Sequence, residues 1–489
     1  MKRCTAKILS LAICLVLIFI NLTSCALLEQ VIGGLSDIPG VGGLFEKNIE
    51  DYPEDERAFA LFDKLDASMK TVSSYEEESL ISMKFNYSDA PYSVTLDGFT
   101  KIAGNNTDDY FEYSEVEQTV YAAGGLIENF TVSQAYSDGK MYFSQKQGNV
   151  SSKMFSNTTY EEYLECRSYA SNEPLDMEIT KLATVTEATR DDNGLWSATY
   201  KGFSADTTKS SLLSMVEDSL FAMITENATL ADMEITLKSD SELRPRSCDI
   251  EFIFASKDET ATASLISNLP SIKINVEYED YNVTSKDDVD LTGYSEVDNL
   301  PIIYKLFVEL REIKNRENGT VDVGGYYVID NKTAISEKYS GTYSSSDSGY
   351  KFNVTHNYEG SKYTMDYRNE TLTIVQGNGL ESSEISELVA KETISSIIDP
   401  ALFSIHKVLG VTLESQKGNT AVYNLKINSK NGPEYNIAKA SGGSVMNNEA
   451  MITATFVDGQ LTSYRYESSC TIRISGIVYS CTIIAESKF

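Results

Sequence analysis

Histidine and tryptophan are nearly missing from this chain: His356 and His406 are the only histidines and Trp196 the only tryptophan in 489 residues. A nucleophile–histidine hydrolase therefore has two positions from which to draw its base. His356 falls in the strand-like run KFNVTHNY, and His406 sits near the apolar face of ALFSIHKVL, so each reads as a packed or surface residue. No GxSxG elbow occurs. The triplets Ser348-x-x-Lys351 and Ser404-x-x-Lys407 lack the SDN and KTG partners of serine acyltransferases. Phosphate loops of the GxxxxGK[ST] and strand-to-helix GxGxxG types are absent too. The 72 acidic residues contain no pair that spacing alone marks as glycosidic acid and nucleophile.

Basic residues are also scarce, 41 Lys and Arg against 72 Asp and Glu, for a formal charge of −31. Such a surface is repelled by phosphate backbones and anionic lipid, which argues against nucleic-acid binding. Seven cysteines occur, none in CxxC spacing, and with two histidines they make a zinc site improbable. The run Asp288-Val-Asp290-Leu-Thr292-Gly293 opens like a calcium loop, but Asn299 stands where the bidentate Glu belongs. No metal and no cofactor are expected. The lone Trp196 and the 30 tyrosines suit strands of an antiparallel sheet, with an aromatic carbohydrate-binding face as the sharper alternative.

What is present begins at the N-terminus. Lys2, Arg3 and Lys7 precede an apolar run from Ile8 to Leu22, shorter than the ~20 residues a spanning helix needs. Leu22-Thr23-Ser24-Cys25 closes that run and resembles the bacterial lipobox. The resemblance implies a signal peptide over residues 1–24 and a diacylglyceryl group on Cys25, anchoring the chain to the outer face of a membrane. Two acyl chains hold a protein stably where one does not. Residues 25–53, with paired glycines at 33–34 and 42–43 around Pro39, read as a tether.

Beyond the tether the pattern is α+β. Phe59, Phe62, Leu65, Met69 and Val72 recur at helical steps, then alternating strand runs follow with turns expected at Asp97-Gly98, Asp138-Gly139 and Asn193-Gly194. A short helix is expected around Tyr160–Cys166, and an amphipathic one from Leu212 and Leu213 through Leu220 to Ile224. The order restarts at Asp298 with Pro301 and a helix carrying Ile303, Leu306, Leu310 and Ile313. Strands follow, then helices over Ser383–Ile398 and from Asp399 to Gly410, then strands to Phe489. This divides the chain into two diverged units, 54–282 and 299–489, joined by a linker at 283–298. Met233 to Leu243 and Met451 to Leu461 match at three positions with identical spacing.

Each unit, a helix followed by up-and-down strands, a helical interruption and a last strand pair, resembles the LolA/LolB/LppX type of lipoprotein carrier. That resemblance implies a curved antiparallel half-barrel closed by helices, whose apolar interior holds acyl chains. Leu213 and Leu220 then fall on a helix that fills or lines the cavity. Two function classes follow: a non-enzymatic tethered protein binding lipid or another hydrophobic ligand, and an interaction lipoprotein presenting its surface to envelope proteins or glycans.

Four cysteines lie outside the signal and lipid positions: Cys166, Cys248, Cys470 and Cys481. A two-residue turn at Ser475-Gly476 places Cys470 opposite Cys481, and in an exported protein a cross-strand disulfide is expected there. Nothing local pairs Cys166 with Cys248.

The N-terminal reading has a direct test. Cys25→Ala should release the chain from membrane fractions into the medium or periplasm. A variant that stays membrane-bound and uncleaved would make the segment an ordinary anchor.

Overall fold

The computed structural model describes residues 48–489, apart from 88–89, 105–108, 171–176, 216–217, 226–227, 258–268, 331, 347–348, 378, 386, 400–402, 430–431, 441 and 447–448. The lipobox-like segment Leu22-Thr23-Ser24-Cys25 lies outside the described residues. The fold is α+β: large, almost wholly antiparallel sheets with a few helices, and neither sheet closes into a barrel. Two compact units emerge among the described residues, one of residues 48–149 and 159–293, the other of residues 294–489 joined by 150–158.

In the first unit a helix, α1 (Arg57–Met69), precedes five consecutive strands: β1 (Ser74–Tyr87), β2 (Ala90–Ala103), β3 (Phe111–Ala122), β4 (Gly125–Ser137) and β5 (Lys140–Gln147). The strand β6 (Val150–Asn157) follows and is grouped with the second unit. Then come α2 (Tyr160–Ala170), β7 (Val185–Arg190), β8 (Trp196–Lys201), α3 (Ala205–Met215), α4 (Asp218–Ile224), β9 (Ala228–Ser239), β10 (Pro245–Ser256) and β11 (Ser271–Glu279). Within this unit the strands run β5-β4-β3-β2-β1-β11-β10-β9-β8-β7.

The second unit repeats that scheme. After β12 (Ser295–Glu296) and α5 (Pro301–Glu312) come β13 (Gly319–Ile329), β14 (Lys332–Ser346), β15 (Gly349–Tyr358), β16 (Ser361–Arg368), β17 (Thr371–Gln376) and β18 (Gly379–Glu384). Next are α6 (Glu387–Ile398), β19 (Val408–Lys417), β20 (Thr420–Asn428), α7 (Pro433–Ala440), β21 (Ser444–Val445), β22 (Glu449–Val457), β23 (Gln460–Ile474) and β24 (Ile477–Lys488). Their order is β18-β17-β16-β15-β14-β13-β24-β23-β22-β20-β19, with β21 on β23. In both units a run of hairpins leads outward from the first strand, and the last strand returns to that strand's other side.

The first helix of each unit is held by burial. On α5, Ile303, Leu306, Phe307 and Leu310 are all buried. Each such side chain contributes roughly 1.5–3 kcal/mol, outweighing the few tenths per residue lost to β-branched Ile302, Ile303 and Val308. Pro301 at the first helical position costs nothing there, because its missing N–H has no intrahelical acceptor.

Several sequence expectations change. Asp97-Gly98 is not a turn: both residues lie inside β2, paired with Leu80 and Ser79 on one side and Glu117 and Val116 on the other. Strand partners on both sides prevail over a local turn preference. Of the helix expected from Asp399 to Gly410, the described residues hold a single 3₁₀ turn, Ile405–Lys407, leading directly into β19. The helix expected over Ser383–Ile398 starts at Glu387, after the edge strand β18. The amphipathic helix expected over 212–224 is described as α3 and α4, with residues 216–217 outside the described residues, and α7 had no sequence counterpart. The matched segments are both strand–turn–strand, yet their turns differ. Asp240 is joined back to Arg244 by a longer loop, whereas Asp458-Gly459 is a two-residue turn with φ of 50° and 80°.

The C-terminal hairpin has the register read from the sequence. Ser475 and Gly476, at φ of 50° and 83°, form the turn, Ile474 faces Ile477, and Cys470 faces Cys481. Both are buried thiols here. The Cys470 thiol donates to Cys481, which pushes Cys470 up and draws Cys481 down. Directly opposed residues at a hydrogen-bonded pair have Cα atoms about 5.5 Å apart, within the span a disulfide tolerates. Mild oxidation should therefore yield a 470–481 cross-linked peptide in non-reducing mass spectrometry. Recovery of both as free thiols after oxidation would defeat the expected bridge.

Candidate functional site

The residues singled out from sequence do not converge. Leu220 is 2% exposed on α4, which lies against β1 in the first unit, and Leu212, Met223 and Ile224 are buried as well. Leu213 is only half-buried. Trp196 is buried on β8, its backbone N–H donating to Ser239 Oγ at 3.0 Å. Cys166 and Cys248 are buried thiols, each pushed up to about 12 chiefly by burial. In the Asp288–Gly293 run, Asp290 Oδ1 accepts the Thr292 N–H at 2.9 Å, and no metal-binding group of acids, cysteines and histidines occurs among the described residues.

Ser404 and His406 do meet. The Ser404 hydroxyl and His406 Nδ1 are 2.8 Å apart, but the residues are 0% and 1% exposed. Burial holds His406 well below its usual range, so it stays neutral. A substrate cannot reach that hydroxyl without the core opening.

The other histidine belongs to a set that spacing alone did not reveal. In the second unit, Val321, Val323, Tyr343, Phe352, Val354 and Tyr367 alternate inward and form the core face of β13–β16. Toward one end this face is covered. Helix α6 packs on β13 and β15, Ser487 Oγ donates to the Ile398 carbonyl at 2.6 Å, and Tyr464 donates to Asp399 at 3.0 Å. Tyr343 donates its hydroxyl to the Ile313 carbonyl, and Phe352 stacks on Tyr367 at 5.6 Å.

Toward the other end the same face continues as half-buried rings. One rung carries Tyr339, His356 and Tyr363 on three successive strands, and the next pairs Glu337 with Tyr358. Tyr339 and His356 lie flat against each other, with centroids 4.0 Å apart and planes 5° apart. Tyr358 and Tyr363 flank the imidazole at 5.9 Å each.

Glu337 ties the set together. It accepts the Tyr327 hydroxyl at 3.0 Å, accepts from Tyr339, and faces His356 Nε2 at 3.4 Å. Burial first, and then the Glu337 charge, pushes the Tyr327 and Tyr339 phenols upward, so both stay protonated as donors. The arrangement is an aromatic surface with a single, heavily engaged acceptor. It presents rings for contact and no activated nucleophile.

Sequence reasoning placed His356 in its strand but missed this set. The signal was Tyr at 327, 339, 358 and 363 around it, and register was needed to bring them together.

No protein-family model matches the chain, and no curated protein matches it. Similar solved structures include a β-barrel-like protein of a domain of unknown function from Brucella abortus. It is 6% identical, covers 43% of this chain and 99% of its own, and has a TM-score of 0.12. A protein of unknown function from Nostoc punctiforme is 8% identical over 86% of this chain and 97% of its own, with a TM-score of 0.12. OprD of Pseudomonas aeruginosa is 7% identical over 85% and 94%, with a TM-score of 0.14. At such scores these likenesses carry no argument about this chain.

The buried phenols set a pH dependence. Tyr200, Tyr327, Tyr339, Tyr350, Tyr464 and Tyr466 are all shifted upward, mainly by burial. An unfolded tyrosine ionises near pH ~10 while these keep their protons, so above that pH the unfolded chain binds fewer protons and stability falls. Urea unfolding should show a level free energy below about pH 9 and a decline above about pH 10. Stability that stays level there, with phenolate absorbance appearing in the folded protein, would contradict the burial of these hydroxyls.

Proposed function

We propose that this chain is a lipid-tethered, extracytoplasmic, non-enzymatic protein that binds an apolar molecule on the core face of its second unit. The observation that carries the reading is the change along that face. Covered by α6 at one end, it continues at the other as the half-buried rings of Tyr327, Tyr339, His356, Tyr358 and Tyr363. Rings left half in water at the margin of a core are the surface an apolar ligand would complete. The shared strand order of the two units supports reading them as diverged copies of a LolA/LolB/LppX-type carrier unit. The net charge of −31 favours ligands that are neutral or cationic at any head group they expose.

The lipobox supplies the location: Cys25 would hold the body beside a membrane, where acyl chains are the abundant apolar molecules. The test is native mass spectrometry with organic extraction of the Cys25→Ala protein. Acyl lipid or another apolar molecule should co-purify and be lost in a Tyr339→Arg variant of unchanged melting temperature. A protein that yields no extractable molecule would favour the alternative, an envelope lipoprotein acting through its surface.

A further inference from the structure

The same unit carries a cleft of about 550 Å³ on the opposite face of β13–β16, within the size range of small-molecule sites. Its floor is a rung of polar side chains in direct register, Thr320, Thr342, Asn353 and Asp366. Its rim carries Arg316, Lys351 and Arg368. In a chain with 72 acids to 41 bases, three side-chain cations stand here beside one side-chain carboxylate, with Phe489 also lining the cleft.

The partners of these groups are uneven. Arg316 reaches Glu309 at 3.3 Å, and Arg368 reaches its own neighbour Asp366 at 3.1 Å. Asn353 Nδ2 donates to Asp366 Oδ1 at 3.0 Å, which fixes both side chains across two strands. Lys351 is exposed and has no ion-pair partner among the described residues. Its ammonium is the free charge of the cleft.

We propose that this cleft binds a carboxylated sugar. A carboxylate would meet Lys351, with Arg368 beside it. The hydroxyls of Thr320 and Thr342 and the amide of Asn353 both donate and accept, which suits sugar hydroxyls that do the same. Asp366 accepts from hydroxyls but repels a second anion, which disfavours a phosphate, whose oxygens have few protons to offer. An apolar occupant would leave the polar floor desolvated and unpaired, at a cost it could not recover. The site is separate from the aromatic face and stands or falls independently of it.

Isothermal titration of the full chain in detergent with trigalacturonate, a neutral galactose oligomer and inorganic phosphate tests this. Saturable binding of trigalacturonate is expected, weakened about tenfold by Lys351→Gln, whose side chain is exposed and whose loss should leave the near-ultraviolet circular dichroism unchanged. Asp366→Asn should weaken trigalacturonate by removing an acceptor for its hydroxyls, and should relieve the repulsion that keeps phosphate out, so that phosphate binding rises. Equal binding of phosphate, competing with the uronate, would reduce the cleft to a plain anion site and overturn the proposal. Equal binding of the neutral oligomer, indifferent to Lys351→Gln, would overturn the role of charge. No binding of any probe would overturn the site.

Discussion

Strand register is the constraint on which the second unit depends. Side chains alternate with a period of two, so one face of β13–β16 receives Val321, Val323, Tyr343, Phe352 and Val354, while the other receives Thr320, Thr342, Asn353 and Asp366. A slip by one residue would put the tyrosines into water and the polar rung into the core. Two glycines help to fix that register. At Gly341 a Cβ would lie 2.1 Å from the Asn353 carbonyl oxygen, and at Gly319 a Cβ would lie 2.0 Å from the Tyr343 ring. Both strands approach closely only because those side chains are missing.

Much of the architecture was legible because its turns are short and chemically explicit. Asp138-Gly139, Glu359-Gly360 and Ser475-Gly476 all have positive φ at both residues, the two-residue hairpin geometry that sets register outward from the turn. That is why Cys470 could be placed opposite Cys481 from spacing alone. Asp97-Gly98 shows the limit of the same signal, since a strand paired on both sides absorbs an Asp-Gly without turning. The stretch after Asp399 misled for a related reason. The pattern of Phe403, Ile405 and Val408 fits a helix face, yet all three are buried around a single 3₁₀ turn.

The sites were harder to read than the fold. Tyr327, Tyr339, His356 and Tyr363 are separated by as few as seven and as many as seventeen residues, and nothing periodic links them. They meet because three hairpins fold back on one another. Leu213 and Leu220 were chosen from helical periodicity, which reports burial and does not distinguish a cavity wall from a filled core. Lys351 was visible only as part of a chance SxxK triplet. Its interest comes from the acids it lacks, a property of the folded surface.

The strand order has a consequence for how such a chain comes into being. In each unit the first strand is completed by the last: β1 by β11, and β13 by β24, whose pairing joins Ile329 to Cys481. During vectorial synthesis, the N-terminal hairpins emerge with one flank of β13 unsatisfied. That flank is a bare row of amides until the final segment arrives. The open edge must be shielded in the interval, so the unit assembles only after its C-terminal strand has been delivered, whatever the stability of the hairpins made before it.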